Sequence, residues 1–227
     1  ILLIGFAATD GYDLGTATLL PFIARTDRER RLVINAIAPT WEGHQVWLIT
    51  GGGALFAAWP FVYAISFSGF YLAMFVVLAA LILRPVGFKY RSKLESPKWR
   101  SSWDWALFVG GAVPALIFGV ALGNVLQGVP FSIDSTLRAS YEGGLLGLLN
   151  PFGLLAGLVS VAMLVMHGAA YLGTKIEHGT VLDRAITVGR WAAVAMMALY
   201  AVAGVWLALG VAGFRIDGAI DAGGPAN

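Results

Sequence analysis

The sequence predicts an all-α integral membrane protein of about six transmembrane helices. Three observations carry that expectation. Hydrophobic residues make up 58% of the 227 and charged residues only 12%, about half the charge of an ordinary soluble domain, and the mean hydropathy is +0.76. No water-soluble core in a chain this short could hide so much apolar surface. Six mostly apolar runs each reach the ~20 residues, at about 1.5 Å apiece, that a bilayer crossing needs. The charges collect between those runs.

The first run covers 1–24 and the second 41–65. The third covers 67–88, and Ser66-Phe67-Ser68-Gly69 leaves room for only a tight turn before it, so the second and third are expected as antiparallel neighbours. The fourth covers 104–127, with Pro114 expected to kink it. The fifth and sixth cover 148–173 and 188–211. Between them the basic residues alternate. Arg25, Arg28, Arg30 and Arg31 precede the second run, and Lys89, Arg91, Lys93, Lys98 and Arg100 precede the fourth. Arg138 stands alone in 128–147, Lys175 and Arg184 precede the sixth run, and the tail has only Arg215. The positive-inside rule then puts loops 25–40, 89–103 and 174–187 in the cytoplasm, with residue 1 and the tail outside.

Glycines four apart, Gly11/Gly15, Gly119/Gly123 and Gly153/Gly157, place small residues on one helix face and allow close backbone approach. Trp41, Trp47, Trp59, Trp99, Trp103 and Trp105 gather near expected helix ends, as an interfacial belt would. The chain opens at Ile1 inside an apolar run and closes on Gly223-Gly224-Pro225-Ala226-Asn227, so it is expected to be a piece of a longer protein. A net charge of +2 makes nucleic acid an unexpected partner. The absence of cysteine excludes disulfides, thiolate metal sites, iron–sulfur clusters and thiol catalysis. Gly51-Gly52-Gly53 is no phosphate loop, because no Lys-Ser/Thr follows it.

A charge near the bilayer centre costs roughly 2.5–3.5 kcal/mol on insertion scales, so the polar exceptions inside the runs are the informative positions. Asp10 and Asp13 are three apart and share a helix face. Such a pair favours a shared proton, as in a proton relay or cation site; the alternative is that one caps a helix or pairs with an arginine at a helix end. Glu42 opens the second run as a carboxylate at its cytoplasmic mouth, either a proton entry or a helix N-terminal acid capped by Pro39-Thr40. His44 and His167 raise the question of haem ligation. With three histidines in all and His178 in a loop, a satisfied structural histidine is the expectation for each. Asp104 reads as a capping carboxylate between Trp103 and Trp105, and Asn124 and Gln127 as cross-helix hydrogen-bonding groups. To this point a proton-coupled transporter using Asp10 and Asp13 and a respiratory subunit both remain open.

Four stretches go further. They are Asp10-Gly11-Tyr12-Asp13-Leu14-Gly15; Arg28-Glu29-Arg30-Arg31 with Trp41-Glu42-Gly43-His44-Gln45-Val46-Trp47 and Gly52-Gly53-Ala54-Leu55-Phe56-Ala57-Ala58-Trp59-Pro60; Phe67-Ser68-Gly69-Phe70-Tyr71 with Arg84-Pro85-Val86-Gly87-Phe88; and Gly123-Asn124-Val125-Leu126-Gln127-Gly128 with Asn150-Pro151-Phe152-Gly153. In this order the chain resembles subunit II of cytochrome bd ubiquinol oxidase over nearly its whole length. The resemblance implies a longer subunit of two four-helix bundles, of which this chain holds the first and the start of the second. It implies a complex that oxidises quinol and reduces oxygen to water, in a bacterial inner membrane. Haem b and haem d are carried by subunit I, the heterodimer partner, and none is ligated by this chain; a small accessory subunit fits the same pattern. No catalytic residue or metal ligand is implied here. Glu42 takes the place of the family's proton-pathway carboxylate, commonly Asp, and Asp13 matches the same traffic. His44 stands where relatives often have Asn. Trp47 and Arg84 match positions read as structural or as facing lipid or quinone.

Overall fold

The computed structural model describes residues 1–136 and 138–211; the tail that the charge pattern put outside lies beyond them. The all-α expectation holds. The helices are α1 (Leu2–Ile23), α2 (Asp27–Ile37), α3 (Trp41–Ala58), α4 (Pro60–Gly69), α5 (Tyr71–Tyr90), α6 (Pro97–Gln127), α7 (Leu145–Leu148), α8 (Pro151–Lys175) and α9 (Thr180–Gly210). A short antiparallel hairpin, β1 (Phe131–Ile133) and β2 (Ala139–Tyr141), follows α6.

Among the described helices, α5, α6, α8 and α9 are long and apolar enough to cross a membrane on length and composition alone. The first two expected spans depart from that standard for visible reasons. α1 carries two carboxylates, and α3 opens on Glu42, His44 and Gln45 and stops after 18 residues. The expected run 41–65 is two helices. A residue before proline is pushed out of the helical region, and Trp59, preceding Pro60, sits at φ −137° and ψ 68°. The expected turn at 66–69 is accordingly helical, and only Phe70, at φ −95° and ψ 17°, separates α4 from α5.

The expected loop 25–40 contains α2. Thr26 and Glu29 form a capping box: the Thr26 hydroxyl accepts from the Glu29 N–H, and the Glu29 carboxylate accepts from the Thr26 N–H. Val33 and Ile34 on its inner face then pack in one cluster with Leu20, Ile23 and Leu172, and Ile37 is buried beside them in sequence. α5 ends later and α6 begins earlier than expected, leaving only 91–96 as their connection, and α6 runs on through Pro114.

α1 is the central element, lying against α3, α6 and α8. Lipid supplies no hydrophobic drive between helices, so close packing must hold them, and the glycine pairs do this. A Cβ on Gly15 would collide with the Leu164 carbonyl of α8, and one on Gly168 with the backbone of Gly15 and Thr16. Gly119 and Gly123 of α6 sit against Gly157 and Gly153 of α8 in the same way. At that end Asn124 donates to the Leu148 carbonyl at 2.7 Å and accepts from Asn150 at 2.9 Å, the cross-helix role expected of it. Trp41, by contrast, is buried against Phe88 and belongs to no exposed belt.

Candidate functional site

The polar groups of α1 meet inside the bundle. Arg84, six residues before the end of α5, sends its guanidinium to Asp10 in a bidentate pair, Nη1 to Oδ2 at 3.0 Å and Nη2 to Oδ1 at 2.9 Å. Asp10, Asp13 and Arg84 are all fully buried. Gly110 of α6 makes room for the arginine, since a Cβ there would stand 2.9 Å from Arg84 Cγ. Asp13 is the second carboxylate, 3.8 Å from Arg84 Nη2 and 2.7 Å from Nδ1 of His44 on α3. The Tyr12 hydroxyl stands 3.1 Å from the other imidazole nitrogen, Nε2. Against an ionised Asp13, which can only accept, Nδ1 carries the proton, and Nε2 accepts from Tyr12 in the neutral ring or donates to it in the protonated one. The Tyr12 ring stacks on Tyr171 of α8 at 3.9 Å, and Tyr171 in turn donates to the Ala36 carbonyl of α2 at 3.1 Å.

Charge decides what this cluster can do. One arginine faces two carboxylates, and both of its Nη groups already serve Asp10. The imidazole of His44 is the group next to Asp13 that can supply the missing positive charge, by binding one proton. Its side chain keeps 16% exposure, whereas that of Asp13 keeps none.

Asp10 and Asp13 therefore do not share a proton directly, because a guanidinium stands on Asp10. Both oxygens of Asp10 are occupied, which also removes it as a free ligand for a coupling cation. The alternative, pairing with an arginine, is what Asp10 does, though in mid-helix. Arg84 is enclosed within this chain, with no exposed surface. A basic residue inside an apolar run, with two acids in another run, was the available signal for that pairing. Trp47 lies on the outer side with its ring over Gly5. Glu42 is in the first turn of α3 with its side chain 69% exposed, 3.9 Å from Lys89. Thr40 precedes the helix, but its side chain caps nothing and donates to the Ile37 carbonyl. Tyr12 had no sequence signal beyond its place beside Asp13. Both ring nitrogens of His44 are engaged, so it does not fit as an axial haem ligand, and His167 stacks on Tyr12 at 5.6 Å. Among the described residues no His, Cys, Asp and Glu cluster could hold a metal ion.

A second ionic cluster ties the charged helix ends together. Asp104 lies well inside α6, so it is not a cap. It is buried between Arg30 of α2, at 2.8 Å, and Arg91 after α5, at 2.5 Å. Arg91 also reaches Asp27, at 2.8 Å, and Arg100 meets the same carboxylate at 2.9 Å. Partial burial opposes the Asp27 charge, but the Arg91 hydrogen bond and the neighbouring guanidinia outweigh it and hold its carboxyl below the usual range. The backbone N–H of Arg25 and the Arg184 guanidinium hold Glu29 down at about 2. Four elements, α2, α5, α6 and α9, are thereby fastened at one end.

A helical bundle with a buried Asp–Arg pair and a part-buried Asp–His–Tyr chain inside it defines the class: an integral membrane protein with protonatable groups in its interior. The family follows. The chain belongs to the cytochrome bd terminal oxidase subunit II family, whose model matches residues 1–221. It is 54% identical over 221 residues to cytochrome bd-I ubiquinol oxidase subunit 2 of Escherichia coli strain K12, covering 97% of this chain and 58% of that protein. It is 56% identical over 207 residues to the probable cytochrome oxidase subunit 2 of Haemophilus influenzae, covering 91% of this chain and 54% of the relative. With cytochrome bd ubiquinol oxidase subunit 2 of Bacillus subtilis it shares 34% over 172 residues, 76% of this chain and 50% of the relative. The chain thus spans little more than half the length of the curated relatives it matches.

Proposed function

We propose that this chain acts as subunit II of a bd-type terminal oxidase, beside a haem-bearing subunit I in a bacterial inner membrane. Family membership supports the oxidase reading, and the relatives' names supply the quinol substrate. The haems supply electron transfer and oxygen chemistry. This chain's share is to pack against the haem subunit and to help bring cytoplasmic protons inward. The observation that carries the proton role is the buried contact between Asp13 and His44 at 2.7 Å, at a site one positive charge short. Glu42, exposed at the head of the helix that bears His44, gathers protons at the surface. Asp10, locked to Arg84, fixes the cluster rather than moving a proton. In this orientation the end holding Arg30, Arg91 and Lys175 faces the cytoplasm, and α1 and the α3–α4 pair join the four apolar helices in the membrane.

Asp13→Asn and Glu42→Gln in the full-length subunit, assembled with subunit I, test this. Quinol-driven oxygen uptake should slow in both while the reduced-minus-oxidised haem spectrum stays near that of the native complex. Native turnover in both variants would end the proton role and leave a structural anchor. The transporter alternative, which uses Asp10 and Asp13, has the first of these two carboxylates bound by Arg84.

A further inference from the structure

Tyr12 is the member of the interior chain that neither the charge count nor the family reading uses, and it does something neither carboxylate can. Nδ1 of His44 is committed to Asp13, so any change in the charge of the ring takes place at Nε2, and Nε2 faces the Tyr12 hydroxyl at 3.1 Å. A hydroxyl both donates and accepts. When His44 is neutral, the Tyr12 O–H donates to the Nε2 lone pair. When His44 is an imidazolium, Nε2–H donates to the Tyr12 oxygen. The contact is kept in both states, and no buried nitrogen is left unpaired, which would cost about 1–3 kcal/mol.

We propose that Tyr12 is a proton-relay residue: its hydroxyl lets His44 gain and lose one proton without moving, and so makes the Asp13–His44 pair a reversible one-proton store. This rests on the proton role proposed above. The step balances without a further reactant. A hydronium proton from the water-accessible side binds the Tyr12 oxygen as the Tyr12 proton passes to Nε2. His44 becomes an imidazolium and Asp13 stays a carboxylate, so the store is neutral when loaded and carries one negative charge when empty. Unloading reverses the transfer: the Nε2 proton passes back to the Tyr12 oxygen as the Tyr12 hydroxyl proton leaves to water, and a shift of the Nδ1 proton to Asp13 only moves the charge within the loaded pair.

The ring is held for this purpose. It lies between Tyr171, stacked at 3.9 Å and 12°, and the edge of His44, at 5.2 Å. The other titratable groups around the pair are accounted for. Asp10 of α1 is bound by Arg84 of α5, and on α8 His167 stacks on Tyr12 and Lys175 lies 5.7 Å above the Tyr171 ring. Glu42 of α3 pairs with Lys89, and the acid of α6, Asp104, is taken by Arg30 and Arg91.

The test is the pH profile of quinol-driven oxygen uptake by the full-length complex carrying Tyr12→Phe. A charged hydrogen bond is worth roughly twice a neutral one, so losing the hydroxyl harms the imidazolium more than the neutral ring. The alkaline limb should move to lower pH by about one unit, with haem content unchanged. A merely structural tyrosine would lower assembly and leave the limb in place. If Tyr12→Phe does not assemble, 3-fluorotyrosine at position 12 keeps the shape and weakens the oxygen as an acceptor. It should move the limb the same way by less. An unmoved limb with Tyr12 altered, while His44→Gln moves it, overturns the role of Tyr12 alone. If neither change moves it and Asp13→Asn also turns over normally, the proton reading beneath it falls as well.

Discussion

Replacing Arg84 by methionine should destabilise the subunit severely, and replacing its partner as well should restore most of the loss. The single change removes two hydrogen bonds of 3.0 and 2.9 Å and the cation facing Asp10 and Asp13, all in a fully buried site. Taking one member from a buried pair costs about 3–5 kcal/mol, because the remaining charge is stranded. The double variant Arg84→Met with Asp10→Leu removes both charges, and pairs replaced by apolar groups of similar volume are often neutral. What remains is the 3.8 Å interaction with Asp13, and His44 can offset that by holding its proton. The two single costs should therefore exceed the double by at least ~2 kcal/mol. Denaturant titration of the purified full-length complex, followed by tryptophan fluorescence and haem retention, gives all three midpoints. Additive losses, or a native midpoint in Arg84→Met, would refute the assignment of Arg84 as the counter-charge of α1.

Three further outcomes follow from the geometry. Gly15→Ala should cost about 1–3 kcal/mol by overpacking, since its Cβ would strike the Leu164 carbonyl, whereas Gly52→Ala, with open space around it, should stay within about 0.5 kcal/mol; the same denaturant midpoints compare them. Asp104→Asn takes the charge partner from Arg30 and leaves Arg91 only Asp27, so limited trypsin digestion should cut within 25–31 sooner than in the native complex. Glu29 has its carboxyl depressed from 4.5 to about 2, so its stabilising contribution is full above the unfolded value and is lost as pH falls toward 2. The thermal deficit of Glu29→Gln should then be greatest near neutrality and close between about pH 4.5 and 2, and a deficit constant with pH would contradict the assignment.

The long apolar helices were legible because a bilayer crossing needs a run that no other architecture requires. Helix α2 was not, because a short amphipathic helix lying on other helices leaves only a local trace. That trace was present as Thr26 and Glu29, three apart. The break at Trp59 was written in Pro60 but hidden by the unbroken hydrophobicity on both sides. In the site, Asp10, Asp13 and His44 stood out as polar exceptions, while their arrangement did not. Asp10 and Arg84 are 74 positions apart, and hydropathy carries no information on which distant charge answers which. Tyr12 was invisible for a different reason: a tyrosine is unremarkable in a membrane helix until its hydroxyl is seen against an imidazole. Glu42 was placed correctly at a helix mouth, but its exposure makes it a surface group.

The pairing of Asp10 with Arg84 bears on how the chain enters its membrane. Within the described residues α1 precedes α5, so the cation that pairs with Asp10 arrives some seventy residues after the acid itself. Until then the acids of α1 can avoid the hydrocarbon only by protonation or by staying at an insertion machinery's watery seam. With Arg84 in place, α1 and α5 present a charge-compensated unit to the lipid. At that pair the tertiary contact is also what fits the helix for its solvent.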